Sequence, residues 1–363
     1  MDDRAGPAPA RRRASGPGAR ALRRQTVPCA VPGGGVDAWW RRHQTAPVSA
    51  TPDDALHLPQ IVLQKADRDG DGGRAWAAAL PGVLRELCGR WSLVLGEALP
   101  GASESHVVRA RTAAGDDVVL KVCVPGDDFT ARADVLRLAA GDGVVRLLAV
   151  DGRHQALLLE ALGPDLAAQG RDPRESLPVV ARLLARLWQV PAPASLGPPV
   201  DKAADLAVLV TSLAEALPGT ASPRVVRAAL AGAARRSAAF DPGASRLLHG
   251  DAAGANVLRV LKPRSGAPDG YVLCDPQPFV ADPAYDLGVS VRDWVAPLRA
   301  STDPAATVRS WCRVLADAAA CDAEAVWDWA LLERVATGLF ATSLGAPEAG
   351  LALLETAEMV IDA

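Results

Sequence analysis

The sequence predicts an α+β chain, with a β-rich N-terminal part and a mostly helical C-terminal part. Three observations lead there. Between residues 91 and 160, short apolar and β-branched runs are separated by turn signals, with one helical stretch among them. Beyond Asp165, apolar residues recur at helical spacing. Within that second part, Leu247 to Leu258 reads LLHGDAAGANVL, a polar loop between apolar runs that carries an acid and an amide five residues apart.

Composition bounds what such a chain can be. With 363 residues it can bury a large core, divided here into two lobes behind a tail. Four Lys (65, 121, 202 and 262) stand against 35 Arg, a bias that reads as a GC-rich genome and makes each Lys more informative. The formal net charge of −3 gives no nucleic-acid footprint. Six Cys occur without a C-x-x-C pair or His at zinc spacing, so they read as small core residues in a reducing, cytoplasmic setting. No run of 18 apolar residues exists, so no membrane span is expected.

Residues 1–55 are expected to form a disordered basic tail; nine Arg face three Asp through residue 50. A basic docking arm and an upstream start codon are the alternatives, and a secretory signal is excluded because no apolar stretch follows the Arg cluster. Asp67-Arg-Asp-Gly-Asp-Gly has the opening of an EF-hand, but Ala78 stands at the twelfth position where a bidentate Glu is needed, so it reads as a polar turn. From Trp76 to Trp91 the apolar residues fall on one helical face.

Strands are predicted over 91–95, 107–111, 118–124, 144–150 and 156–160, with a helix over 128–140. Pro100 to Ser105 is a small-residue loop able to fold over phosphates, a weak signal because it is not G-x-G-x-x-G. Lys121 is a stronger one. It lies inside an apolar strand, where a charge is costly unless paired; the plain alternative is a half-exposed strand face. Helices follow over 177–190, 204–217 and 223–240. A short hairpin of 257–261 and 271–274 comes after the HGD loop.

The chemistry concentrates in two acidic stretches. Asp251 and Asn256 have the Asp-x-x-x-x-Asn spacing of a kinase catalytic loop, in which the carboxylate accepts a proton and the amide binds Mg²⁺. Asn256 is the only asparagine in the chain, although an ordinary turn Asn is the alternative. Asp275 ends an apolar strand shortly afterwards, the place of a kinase metal-binding Asp. In Asp282-Pro-Ala-Tyr-Asp286, Asp282 is a candidate helix cap, and Asp286 is read as bracing the catalytic loop. Lys121 then has the position of the third-strand Lys that meets phosphates.

HGDxxxxN followed by DPxPxxxDPAYDL resembles the aminoglycoside phosphotransferase superfamily, and within it the aminoglycoside/hydroxyurea antibiotic-resistance kinase family, which includes streptomycin 6-phosphotransferases. The resemblance spans about residues 56–363 and takes in GDGVVRLLAVD (141–151) and LLLEALGPDL (157–166). It implies a bilobal protein-kinase-like fold with an N-lobe over 56–160 and a C-lobe over 161–363. It also implies transfer of a phosphoryl group from ATP, with Mg²⁺, to a hydroxyl of a small antibiotic, in a monomer or weak dimer. Carried over, Asp251 is the catalytic base, Asn256 and Asp275 are metal ligands, and Lys121 holds phosphate. His249, Asp282 and Asp286 are supporting residues. Glu160-Ala161-Leu162-Gly163 is the hinge, which meets adenine mostly through the backbone. The chain departs from the pattern in two places. Ala252-Ala253 follows HGD where the family often has Leu-His, and the helix over 128–140 has no Glu to hold the Lys, which leaves Asp134 as the nearest substitute.

The substrate expectation rests on charge. Residues 271–363 carry 14 Asp/Glu against 5 Lys/Arg, a field that would attract a cationic antibiotic such as an aminoglycoside; the alternative is acid on solvated helix faces. Three rival activities stand beside it. They are a kinase for hydroxyurea, choline-like or sugar substrates, a catalytically weak nucleotide-binding protein, and a metal-dependent hydrolase ligated by His249, Asp251 and Asp275.

Overall fold

The computed structural model describes residues 70–99, 105–126 and 128–361, with 58, 62, 63, 66 and 67. The expected basic tail and most of the Pro100–Ser105 loop lie outside the described residues. Helix α1 (Asp71–Trp91) leads into β1 (Leu93–Ala98), β2 (Ser105–Thr112) and β3 (Asp117–Cys123), then α2 (Phe129–Ala139), β4 (Leu147–Asp151) and β5 (Ala156–Glu160). These five strands form one antiparallel sheet in the order β1-β2-β3-β5-β4.

The two faces of this sheet explain where Lys121 points. Side chains alternate across a strand. On β3, Val118, Leu120 and Val122 pack with Ala156 and Leu158 of β5 against Trp76, Leu80, Leu84 and Leu87 of α1. Lys121 and Cys123 therefore face the other way, where Leu157, Leu159 and α2 join the core shared with the helical half. A helix on one side of the sheet thus forces the charged residue toward the cleft on the other.

Strand β6 (Leu162–Asp165) was not foreseen. Its sequence, LGPD, has too few apolar residues to announce a strand, and it forms because β8 lies beside it. Helices α3 (Pro173–Leu187), α4 (Lys202–Ala216) and α5 (Pro223–Ala238) follow. Asp172, Asp201 and Ser222 cap their first turns through side-chain oxygens, and Pro173 and Pro223 start helices at a position that needs no N–H. Strand β7 (Arg246–Leu248) pairs with β10 (Phe279–Ala281), while β8 (Val257–Val260) and β9 (Tyr271–Leu273) form the expected hairpin and complete a sheet in the order β6-β8-β9. Helices α6 (Ala284–Arg292), α7 (Val295–Arg299), α8 (Pro304–Ala319), α9 (Ala323–Ser343) and α10 (Pro347–Val360) close the chain.

Helix α9 is buried along almost its whole length and forms the post of the helical half. Helix α6 crosses it closely enough that a Cβ on Gly288 would lie 2.4 Å from Trp329 Cβ, so the glycine of DPAYDLG is a packing requirement. Among the described residues Cys88, Cys123, Cys274, Cys312 and Cys321 are free thiols. No described helix is long and apolar enough to cross a membrane. The α+β, bilobal kinase-like architecture expected from the sequence is the one observed.

Candidate functional site

The HGD loop is built from its backbone outward. Gly250 has φ +82°, and a Cβ there would meet Gln277 O at 2.0 Å, so only glycine lets this loop lie against the chain before β10. Gln277 N donates to His249 O (2.8 Å), which fixes that approach. The buried Asp286 carboxylate accepts from His249 N (2.8 Å), Gly250 N (2.9 Å) and Trp188 Nε1 (3.1 Å). It therefore satisfies two backbone donors that would otherwise be stranded in the core. Burial raises its carboxyl above the ordinary range, opposed by His249 and these donors. Asp282 holds the start of α6, accepting from Ala284 N (2.9 Å) and from Trp329 Nε1 (2.9 Å).

His249 has both ring nitrogens engaged. Asp251 N donates to Nδ1 (3.3 Å), so Nδ1 is the unprotonated atom and Nε2–H donates to Cys274 O (3.1 Å). Burial lowers its pKa against the pull of Asp286 and Asp275, consistent with a neutral ring. The histidine thus pins the catalytic-loop candidate to the strand that carries Asp275. A third tie is Cys274 N donating to Asn256 O (2.8 Å). With both nitrogens occupied, His249 cannot serve as the ligand that the hydrolase reading requires.

Asp251 is fully buried. Its Oδ1 accepts from Arg292 Nη2 (3.1 Å), and its Oδ2 and backbone carbonyl accept from Asn256 Nδ2 (3.0 and 2.8 Å). Burial raises the carboxyl to about 6 against the lowering effect of Arg292, with the charges of Asp293 and Asp275 adding to the rise. Arg292 was not singled out from the sequence. It is the last residue of α6, fully buried, and it also donates to Asp293 (Nε to Oδ1, 2.8 Å) and Glu333 (Nη1 to Oε2, 3.5 Å). Glu333 in turn accepts from Tyr285 Oη (2.7 Å).

Asp275 sits beyond β9 with φ +58°, an uncommon left-handed conformation for a residue with a side chain. Its Oδ1 accepts from Lys121 Nζ at 2.5 Å, joining β3 to the second acidic stretch. Arg132 Nη1 of α2 lies 3.8 Å from the same oxygen. Burial would raise this carboxyl, but Lys121 and Arg132 outweigh it and hold it at about 2. Lys121 stays charged despite its burial because Asp275 pulls its pKa upward.

The structure corrects one expectation. Asp134 does not stand in for the missing helix Glu. It accepts from Arg137 Nη1 (2.8 Å) and Ser195 Oγ (2.9 Å), while Lys121 takes Asp275 as its partner. The reason is angular: residues two apart on a helix point about 200° from each other, and it is Arg132 that α2 turns toward the cleft. The Glu160 side chain is not available to a nucleotide. It accepts from Arg146 N (2.8 Å) and from Arg264 through Nε (3.0 Å) and Nη2. Leu162 is buried and pairs with Val260 across β6 and β8. A cavity of about 420 Å³ lies beside this segment, lined by Gly163, Pro164, Leu261 and Arg264 among others, and none of the acidic site residues borders it. Ala252 and Ala253 are both buried, so they pack the loop and line no opening.

For Mg²⁺ the donor set is suitable. The Asn256 amide is oriented by its two Nδ2 donations, which leaves Oδ1 as the end without a hydrogen-bond donor among the described residues. With an Asp275 carboxylate oxygen, that makes two hard oxygen ligands, the number Mg²⁺ commonly takes from protein when phosphates and waters supply the rest.

A family model described as aminoglycoside/hydroxyurea antibiotic resistance kinase matches residues 90–345. The chain is 32% identical over 282 residues to a streptomycin 6-kinase of Streptomyces griseus, covering 77% of this chain and 88% of that protein. It is 35% identical over 254 residues to a hydroxyurea phosphotransferase of Kitasatospora aureofaciens, covering 69% of each. Among solved structures, a choline kinase of Streptococcus pneumoniae matches with TM-score 0.51 at 12% identity, over 76% of this chain and 99% of that one, a likeness of fold.

Proposed function

We propose, from the premise that the chain belongs to the aminoglycoside/hydroxyurea antibiotic resistance kinase family, that it phosphorylates a hydroxyl of streptomycin or a related aminoglycoside with ATP and Mg²⁺. The enzyme class follows from the family: it is a phosphotransferase with an alcohol group as acceptor. The single observation that carries the nucleotide site is the contact of Lys121 Nζ with Asp275 Oδ1, which brings a strand cation and a candidate metal ligand from residues 154 apart into one cleft. In this reading the nucleotide lies between the β-rich lobe, 56–160, and the helical lobe, 161–363, with adenine against the backbone of 160–163.

Phosphoryl transfer asks a protein for in-line positioning and for charge neutralisation. Asp251 accepts the proton of the attacking hydroxyl. Arg292 donates to one of its oxygens and Asn256 to the other, which fixes the plane of the carboxylate, so the base is oriented before substrate arrives. Lys121 would be the residue that holds phosphate oxygens, and Asn256 and Asp275 are the residues that would hold Mg²⁺. When bound, Mg²⁺ would neutralise charge that develops on the phosphoryl oxygens. His249 and Asp286 hold the loop and need not touch substrate.

Hydroxyurea is the second acceptor to test, because a hydroxyurea phosphotransferase is 35% identical to this chain. The experiment is a coupled ADP-release assay with ATP and Mg²⁺ over streptomycin, other aminoglycosides, hydroxyurea and choline, with Asp251→Ala as control. Streptomycin-dependent turnover that disappears in the control is the expected result. Turnover on hydroxyurea alone would replace the acceptor and keep the mechanism. ATP binding with no turnover on any compound would favour a weak nucleotide-binding protein.

A further inference from the structure

Behind Asp251, two buried helices meet over one carboxylate. Tyr285, Gly288 and Arg292 are spaced three and four residues apart on α6, so they share a face of that helix. The face lies against α9, where Gly288, lacking a Cβ, lets Trp329 and Ala330 come close. Glu333 stands one turn beyond Trp329 on α9 and is 1% exposed. At this approach it reaches both ends of the α6 face: Oε1 accepts from Tyr285 Oη (2.7 Å) and Oε2 from Arg292 Nη1 (3.5 Å). The Tyr285 ring is packed edge-on by Phe279 and Trp329, with centroids 5.2 and 5.1 Å away. Its hydroxyl stays protonated, because burial and the Glu333 charge raise its pKa well above the ordinary value. Thr337 Oγ1 also donates to Oε2 (3.4 Å), and the buried Lys202 of α4 is attracted to the same carboxylate.

Arg292 spreads its donors over three carboxylates. Nε and Nη2 serve Asp293, Nη2 also serves Asp251, and Nη1 serves Glu333. The Asp293 pair is local: it joins neighbours in sequence at the end of α6 and moves with them. Glu333 belongs to the buried post of the helical half, so its contact ties the guanidinium to a separate element. Nη1 has no other partner among the described residues, and a buried donor left unpaired is costly. Without Glu333 the guanidinium would turn to find another acceptor, and its contact with Asp251 would turn with it.

We propose that Glu333 is a positioning residue for phosphoryl transfer, holding Arg292 with Nη2 on Asp251 Oδ1, and that Tyr285 holds Glu333 in turn. The inference rests on the reading of Asp251 as the base. It carries the orientation of that base past Arg292 into the core, to a carboxylate two contacts away from Asp251 that touches no substrate.

The test is the single-turnover rate of phosphoryl transfer by the full chain, with ATP, Mg²⁺ and streptomycin or the acceptor that replaces it in the assay above, beside ATP binding by titration calorimetry. Wild type, Glu333→Met, Glu333→Gln, Asp251→Ala and the double variant Asp251→Ala/Glu333→Met are compared. Glu333→Met is expected to slow transfer by between about tenfold and a hundredfold, the cost of a displaced reacting group, and to leave ATP affinity within about twofold. Glu333→Gln keeps an acceptor for Nη1 and should fall between. In the Asp251→Ala background, Glu333→Met should cost less than about twofold, because its effect passes through the missing carboxylate. The full loss in that background means that Glu333 acts independently of the base, and it overturns the proposal. So does an unchanged rate in Glu333→Met, or a loss of ATP affinity as large as the loss of rate. If no acceptor is turned over, or if Asp251→Ala keeps the wild-type rate, the reading of the base has itself failed. Should Glu333→Met not fold, Tyr285→Phe decides. It removes only Oη and should slow the wild-type chain severalfold but not Asp251→Ala; equal slowing of both, or of neither, counts against the role.

Discussion

Asp251 and Asp275 are the same residue type in neighbouring segments, yet their surroundings push them in opposite directions. Asp251 is fully buried at the end of a cramped glycine turn and is faced by Arg292, a cation shared with Asp293 and Glu333, so its carboxyl rises to about 6. Asp275 is faced by Lys121 and Arg132 and falls to about 2. Sharing a cation leaves the first carboxylate basic enough to take a proton. Concentrating two cations makes the second a permanent anion, suited to metal. Separated acidities of this kind are how one fold assigns acid–base and electrostatic duties to identical side chains.

The comparison breaks hardest at Asp251. Asp251→Asn removes the proton acceptor and keeps the shape, and kcat should fall by about 10²–10⁴ with ATP affinity little changed. Single-turnover rates and nucleotide titration measure both. A loss under about tenfold would remove Asp251 from the role of base. Asp275→Asn should act elsewhere. We expect about 10- to 100-fold more Mg²⁺ to be needed for half-maximal rate, from loss of a charged ligand, and a rate that partly recovers at high Mg²⁺. An unchanged Mg²⁺ requirement would end the metal-ligand assignment.

The opposite shifts also predict opposite pH behaviour. A base with pKa about 6 must be ionised to work, so kcat/KM should rise with pH up to about 6 and level above it, by about tenfold per unit on the acid side. Its linkage to stability has the reverse sense. A raised carboxyl pKa gives stability below about pH 4, and this stability is lost as pH rises through 6. The lowered pKa of Asp275 gives stability above about pH 4 that is lost as pH falls through 2. Asp251→Asn should therefore gain melting temperature relative to wild type between pH 4 and 7, while Asp275→Asn should be the less stable chain at pH 7. Equal melting curves for Asp251→Asn and wild type across that range would contradict the shift.

How much of this was legible follows from residue type. Asp251, Asn256, Asp275 and Lys121 stood out because carboxylate, amide and lysine at those spacings sit between apolar runs, in a chain with one Asn and four Lys. Strands β2 and β3 announce themselves by runs rich in Val, and β5 by a short run of Leu between turn signals. Arg292 and Arg132 carried no signal, since 35 arginines make any one of them unremarked and only three-dimensional convergence on Asp251 and Asp275 distinguishes them. Strands β6 and β7, of four and three residues, are too short for periodicity and exist through pairing with distant partners. The helix substitute failed at Asp134 because spacing along a sequence does not tell which face of a helix will meet a strand.

The smallest expected effect concerns the substrate's charge. The acidic excess of residues 271–363 is reduced in the folded chain. Arg235 and Arg236 of α5 both pair with Asp328, and within the segment Arg309 meets Glu324 and Arg299 meets Glu355. What remains near the site is Asp293, already bound to Arg292, and Asp282, held by α6 and Trp329. Long-range attraction of a cationic aminoglycoside is then weaker than the bare count suggests. Raising salt from about 50 to 300 mM should increase KM for streptomycin only a few-fold, with kcat unchanged, as the Debye length shrinks to less than half. A KM that does not move would mean that the remaining acids act by contact alone. A change of a hundredfold would mean that the paired carboxylates still project a field, and would call for Asp293→Asn as the next variant.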